Sequence, residues 1–249
     1  MNKQSNSYTV IYSVVLVLVV GVVLSLVYQA LRPRQEENIA NDTKRQILAA
    51  ALISPQSGES IGELFDRHIT DSFVINSEGK RVADAPSAFD IDVASEVKKP
   101  ADQRLLPIFE CSTTAGRKYI VPVAGSGLWG PIWGYIALDA NGNTIYGAYF
   151  AHQGETPGLG AEIEKPAFQK QFEGKDILNS DGSFAGIAVV KNGQEPQNGA
   201  YVHAISGGTI TSQGVQKMLY SSLEPYTPFF DSLNNNTGAA TDPSNNTAR

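Results

Sequence analysis

Apolar and polar positions give the chain three textures. The first is a continuous apolar run from Val10 to Leu31, VIYSVVLVLVVGVVLSLVYQAL, with no charge over 22 residues. At about 1.5 Å per residue it is long enough to cross a bilayer core. A buried helix of a soluble protein would need a polar stripe on such a run, and it has none. The run exceeds a usual signal peptide, and no small-x-small cleavage site follows before Arg32-Pro33-Arg34. An uncleaved single-pass anchor is therefore expected. Lys3 and the amino terminus oppose Arg32 and Arg34 across it, so charge alone assigns no orientation.

The second texture is helical. Between Glu36 and Ile53, Ile39, Thr43, Ile47, Ala50 and Ala51 recur on one face, which predicts a helix leading away from the anchor and stopping at Ser54-Pro55. A shorter amphipathic piece follows at Ile61 to His68. Residues 83–104 are polar and patternless, as in a surface loop.

The third texture is β. Phe73-Val74-Ile75 with the Glu78-Gly79-Lys80 turn reads as a hairpin. Lys118–Val123 and Tyr135–Leu138 read as strands, and Asp139-Ala-Asn-Gly-Asn143 joins the latter to Thr144–Phe150 in a second hairpin. Pro166 to Phe172 is a short helix opened by proline. Strands are expected at Phe184–Val190 and Ala200–Ile205, then a helix from Ser212 to Leu223 whose Val215, Met218 and Leu219 form a core stripe. From Asn234 the chain is Asn, Thr, Gly and Ala without apolar pattern, as in a disordered tail. The expected organisation is a tail (1–9), a transmembrane helix (10–31), a connecting helical segment (32–72), one mixed α+β domain (73–233) and a loose tail (234–249).

Composition narrows the chemistry. A net charge of −6 with no basic stripe argues against nucleic acid. One cysteine, Cys111, and three histidines leave too few soft ligands for a disulfide, an iron–sulfur cluster or a zinc site made by this chain alone. Cys111 follows Leu105-Leu-Pro-Ile-Phe109 and is expected to be buried.

Gly125-Ser-Gly-Leu-Trp-Gly130 matches the spacing of a dinucleotide fingerprint, but a strand rather than a helix follows it. The remaining reading is a glycine bend that sets Leu128 and Trp129 beside a pocket. Ser206 lacks the first glycine of a nucleophile elbow, and no His/Asp partnership can be assigned to it. Two segments remain. In His152-Gln-Gly-Glu-Thr-Pro-Gly-Leu-Gly160, Pro157-Gly158 specifies a tight turn that presents Glu155 and Thr156 before it and Leu159 after it. Gly160 permits a close approach to the backbone. In Ser206-Gly207-Gly208-Thr209 a strand enters a glycine loop, with Thr211 or Ser212 placed to cap the following helix. Free amides and the positive helix end make an anion site there. Read singly, the first segment is better taken as a surface turn and the second as a glycine turn with a cap. Together they suit the two ends of a phosphate-bearing aromatic cofactor.

Ser206-Gly-Gly-Thr209 with Ile210-Thr-Ser-Gln-Gly-Val215, preceded by Glu155-Thr-Pro-Gly-Leu-Gly160, resembles the membrane-anchored FMN-binding domain of respiratory redox complexes. The nearest likeness is to the family of C subunits of the Na⁺-translocating NADH:quinone reductase. The corresponding flavoprotein subunits of ferredoxin:NAD⁺ oxidoreductase complexes are the nearest alternative, and a non-redox module holding a phosphate ligand is a further one. The likeness covers the anchor, Gly127-Leu-Trp129, the Gly134–Thr144 hairpin and both loops. It implies FMN joined by a phosphoester to Thr209 through a separate flavin transferase. Ser206, Gly207, Gly208 and Thr211 would surround the phosphate, and Glu155, Thr156, Leu159, Gly160, Leu128 and Trp129 the ring. It also implies other membrane subunits as partners, no catalysis by this chain alone, and a domain on the periplasmic side of a bacterial inner membrane. Gly208 stands where the family usually has alanine, and His203 where it usually has aspartate.

Overall fold

The computed structural model describes residues 6–196 and 199–239. These residues form two compact units whose boundary falls between Lys44 and Arg45, inside the first helix, α1 (Asn6–Ala50). In the first unit the side chains of the apolar run stand uncovered, Val17 and Leu24 among them. The anchor and the connecting helix expected from sequence are one continuous helix. Pro33 lies inside it and removes one backbone hydrogen bond without ending it.

The second unit opens on the end of α1, where Ile47, Leu48 and Ala50 are fully buried. The helix stops before Ser54-Pro55, by its own closure. The Ile53 amide donates to Leu48 O at 2.9 Å and the Leu52 amide to Ala49 O at 3.0 Å, while Leu52 takes φ 59°. That is the Schellman pattern, with leucine in the left-handed position usually held by glycine. The helix end rests on a strand at Gly147, where a Cβ would collide with Ala50 O.

After α2 (Ile61–His68), five strands run as an antiparallel meander in chain order: β1 (Ile69–Ile75), β2 (Leu106–Thr113), β3 (Gly116–Ser126), β4 (Pro131–Asp139) and β5 (Ile145–His152). Alternation along the strands sends side chains to two cores. One face takes Ile108, Val121, Ile136 and Leu138, which pack against the aromatic cluster of Phe168, Phe172, Phe229 and Phe230 and against Val215 and Met218. The opposite face takes Val74, Phe109, Cys111 and Ile120, covered by Ile47, Leu48, Leu64 and Phe65. The sheet is thus sandwiched between helical layers, an α+β arrangement. Cys111 is fully buried, and burial pushes its thiol up to about 11.

Residues 83–104 are not a plain loop. They contain short helical turns, including α3 (Val93–Glu96), tied down by buried Glu96, which accepts the Leu105 amide at 2.9 Å. After β5 come a 3₁₀ turn, α4 (Pro166–Gln169) and a parallel pair, β6 (Ala188–Val190) with β7 (Tyr201–His203). Then follow α5 (Thr209–Leu223) and α6 (Thr227–Ala239). The backbone of α6 continues past Asn234, where a disordered tail was expected; residues 240–249 of that stretch lie outside the described residues.

Helix α5 lies against the end of β3 because glycine is present on both sides. A Cβ at Gly125 would sit 2.7 Å from Met218 Cβ, and one at Gly214 would strike Ser126 O. This approach brings the start of α5 to the β3–β4 bend and to the segment after β5.

Candidate functional site

Three segments meet at a pocket of about 230 Å³. The first is the bend between β3 and β4, closed by the Gly127 amide donating to Gly130 O at 2.8 Å. It carries Leu128 and Trp129 outward, Trp129 being 68% exposed. The second is the stretch after β5. Thr156-Pro157-Gly158-Leu159 makes a tight turn with Gly158 at φ 75° and the Leu159 amide on Thr156 O at 3.1 Å, as the Pro-Gly pair predicts. The third is the Gly207–Thr211 passage into α5.

All of the residues singled out from sequence line this pocket except Ser206, joined by Ile210. Ser206 is exposed and lines a neighbouring notch with Lys191, Asn192, Gly207 and Thr209. Thr209 therefore borders both depressions. Ile210 stood inside the quoted loop motif without being assigned to the site. Lys191 and Asn192 carried no motif that would have marked them; their place follows from β6 and β7 running parallel, which sets residue 191 beside Ala204 at the same end of the pair.

The expected helix cap is corrected by the structure. The N-cap is Gly208, with no side-chain cap, and Thr211 and Ser212 lie inside the first turn. Their hydroxyls are committed elsewhere. Ser212 Oγ accepts the Ile205 amide at 3.0 Å, which folds the glycine loop back on the helix. Thr211 Oγ1 donates to Glu155 Oε2 at 2.6 Å. With the cap position empty of side-chain acceptors, the amides of Thr209, Ile210 and Thr211 have no partner among the described residues, as the first turn of a helix leaves them.

Glu155 joins the three segments. Its Oε1 accepts the Trp129 amide at 2.8 Å, its Oε2 accepts from Thr211, and its own amide donates to His152 Nδ1 at 3.2 Å. The carboxylate is seated on two glycines: a Cβ at Gly127 would strike Oε1, and one at Gly160 would strike Oε2 and Thr211 Oγ1. The Gly160 of the motif thus makes room for the neighbouring carboxylate.

The two positions that depart from the family pattern differ in place. Gly208 is in the pocket wall at φ −106°, an angle open to any residue; an added Cβ would lie 3.0 Å from Ile205 Cγ2. His203 lines a separate depression with Glu162, Lys165 and Gln171. Gln171 clasps the His203 backbone, accepting its amide at 2.8 Å and donating to its carbonyl at 3.4 Å.

Comparison with known proteins agrees with this geometry. Residues 127–224 match the family described as FMN-binding domain. The C subunit of the Na(+)-translocating NADH-quinone reductase of Pseudomonas aeruginosa is 32% identical over 241 residues, spanning 88% of this chain and 92% of its own. The C subunit of the Vibrio anguillarum enzyme is 34% identical, spanning 86% and 89%. Among solved structures, the C subunit of the same reductase from Parabacteroides distasonis is 44% identical with a TM-score of 0.74, over 80% of this chain and 96% of that one. NqrC of Shewanella oneidensis is 28% identical with a TM-score of 0.66, over 78% and 97%.

Proposed function

The chain belongs to the family of C subunits of the Na(+)-translocating NADH-quinone reductase, and on that premise we propose that it is an electron relay carrying FMN covalently on Thr209. It is a subunit of an oxidoreductase complex with an FMN-binding domain. The observation that carries the finer reading is the place of Thr209. It is the first residue of α5 and borders a pocket lined by the three residues of that helix whose amides have no partner among the described residues.

The residues present fit such a group. A phosphodiester on Thr209 Oγ1 would lie against the positive end of a 15-residue helix, an arrangement worth about 0.3–1 kcal/mol for each charge. Trp129, Leu128, Leu159 and Ile210 offer flat apolar surface around the opening. At about 230 Å³ the pocket is smaller than a site that encloses a whole drug-sized ligand. A flavin held there would leave part of its ring open to other electron carriers, as a relay needs. FMN supplies the redox chemistry when bound; the chain supplies distance, orientation and field.

A flavin transferase is the expected maturation partner. In its reaction Thr209 Oγ1 would lose its proton and bond to the flavin phosphorus of an activated flavin phosphoanhydride, whose own bond from that phosphorus to the bridging oxygen breaks, the departing phosphate keeping the electron pair and taking up a proton. The uncovered apolar run of α1 is the expected membrane anchor, with the domain on the periplasmic side and other membrane subunits as neighbours. Sodium transport belongs to those partners, since this chain offers one helix of membrane-crossing length among its described residues. Intact-mass measurement of the chain coexpressed with a flavin transferase tests the assignment. A gain of one FMN less one water is expected, lost in Thr209→Ala. Covalent flavin that survives Thr209→Ala overturns it.

A further inference from the structure

Among the described residues lining the pocket, Glu155 alone bears a charge, and it is 5% exposed. Both of its oxygens accept, from the Trp129 amide at 2.8 Å and from Thr211 Oγ1 at 2.6 Å. The two contacts occupy both oxygens of the carboxyl group, one of them facing a backbone amide that can only donate. No basic side chain lines the pocket to balance the Glu155 charge. A charge this far buried in a pocket wall is screened less than one at the surface and acts over short distances.

We propose that Glu155 lowers the midpoint potential of the flavin held in this pocket, by placing a fixed negative charge beside a ring that gains negative charge on reduction. This rests on reading the pocket as the FMN site. Full reduction brings two electrons from the donor side of the complex onto the ring together with a proton from solvent; the net charge added there is negative and is opposed by the carboxylate. Trp129 and Thr211 hold that carboxylate in place, and Gly127 and Gly160 allow it to lie flat in the wall.

The geometry supplies a test that separates charge from shape. Glu155→Gln keeps both ties: its amide oxygen accepts the Trp129 amide, and its NH₂ donates to a Thr211 hydroxyl that rotates to accept. Thr211→Val does the reverse, keeping the charge and removing one of the donors that disperse it. The full chain is coexpressed with a flavin transferase, checked by intact mass and titrated by spectroelectrochemistry. For Glu155→Gln the reduced-to-oxidised ratio at fixed potential rises about tenfold, a midpoint shift of about +30 mV for a two-electron couple. Thr211→Val shifts in the opposite direction. An unchanged or lower midpoint in Glu155→Gln overturns the proposal, as does a rise in both variants, which marks general loosening of the site. Loss of covalent flavin in Glu155→Gln also overturns it, because the charge then serves attachment. Absence of covalent flavin from the unsubstituted chain is a separate outcome and refutes the Thr209 assignment instead.

Discussion

Glu155 and Thr211 share a hydrogen bond of 2.6 Å across 56 positions of sequence. The bond binds the segment after β5 to the first turn of α5, and through Trp129 it reaches the β3–β4 bend as well. The pocket wall is therefore a single bonded unit assembled from three parts of the chain.

Removing that carboxylate outright leaves the Trp129 amide and the Thr211 hydroxyl without a partner inside the wall. Orphaned buried polar groups cost about 1–3 kcal/mol each. Glu155→Ala is expected to lower stability by a few kcal/mol, read from urea unfolding, while Glu155→Gln stays within about 1 kcal/mol of the parent because its amide restores both bonds. Equal losses in the two variants would contradict this account.

Gly158 and Gly160 lie two residues apart and predict different outcomes. Gly158 has φ 75° and open space around its missing Cβ, whereas Gly160 has its Cβ position filled by Glu155 and Thr211. Gly158→Ala is expected to cost about 1 kcal/mol through backbone strain alone. It should leave covalent flavin loading intact. Gly160→Ala displaces the carboxylate and should reduce loading sharply in the intact-mass assay.

Gly208→Ala restores the residue usual in the family. The new methyl would sit 3.0 Å from Ile205 Cγ2 and 3.2 Å from the Leu159 carbonyl carbon, tight enough that these neighbours must yield by a few tenths of an ångström. The variant should stay within about 1 kcal/mol of the parent, since the gain from replacing glycine in an ordinary conformation offsets the crowding. A thermal melt paired with flavin loading checks both halves.

Cys111 gives a pH-dependent prediction. Its thiol is raised by burial to about 11 from an ordinary value of 9.0. Below the lower value both folded and unfolded chains keep the proton, and the stability due to the neutral buried thiol is fully present. As pH rises between the two values the unfolded chain loses its proton first, so stability falls by up to about 1.4 kcal/mol per pH unit. Cys111→Ala should flatten that alkaline slope while costing some stability at neutral pH. A slope identical to the parent's would count against burial as the cause.

The second unit also depends on a single missing methyl at Gly147. A Cβ there would meet Ala50 O and the Leu52 side chain, so Gly147→Ala should push the end of α1 off β5. Overpacking of this kind costs about 1–3 kcal/mol, and the loss should appear as a lower urea midpoint.

Where local chemistry decides structure, the sequence was readable. The Asp139–Asn143 turn, the Pro157-Gly158 turn and the Val215, Met218, Leu219 stripe all appear as their residues imply. The helix cap misled because Thr211 and Ser212 are good caps locally, yet Glu155, 56 positions away, engages the Thr211 hydroxyl and the Ile205 amide engages that of Ser212. Residues 83–104 looked patternless because their apolar anchors, Ala88, Phe89 and Ile91, follow no helix or strand period, and buried Glu96 ties down the rest. The pocket residues could be gathered from the two loops and the glycine bend. Lys191 and Asn192 could not, since only the parallel pairing of β6 with β7 brings them to Thr209. The role of Gly160 was also hidden, for nothing local says which atom comes close to it.

The meander of β1 to β5 pairs each strand with its neighbour in sequence, so that sheet can be laid down strand by strand as the chain leaves the ribosome. Thr209 lies beyond all of it, and its surroundings close only when α5 docks on β3 and Thr211 finds Glu155. An acceptor hydroxyl that takes its proper setting last restricts modification to finished molecules. With FMN attached to Thr209 as proposed, the cofactor would double as a mark of completed folding, and chains that stall before α5 should leave the cell's assembly line unlabelled.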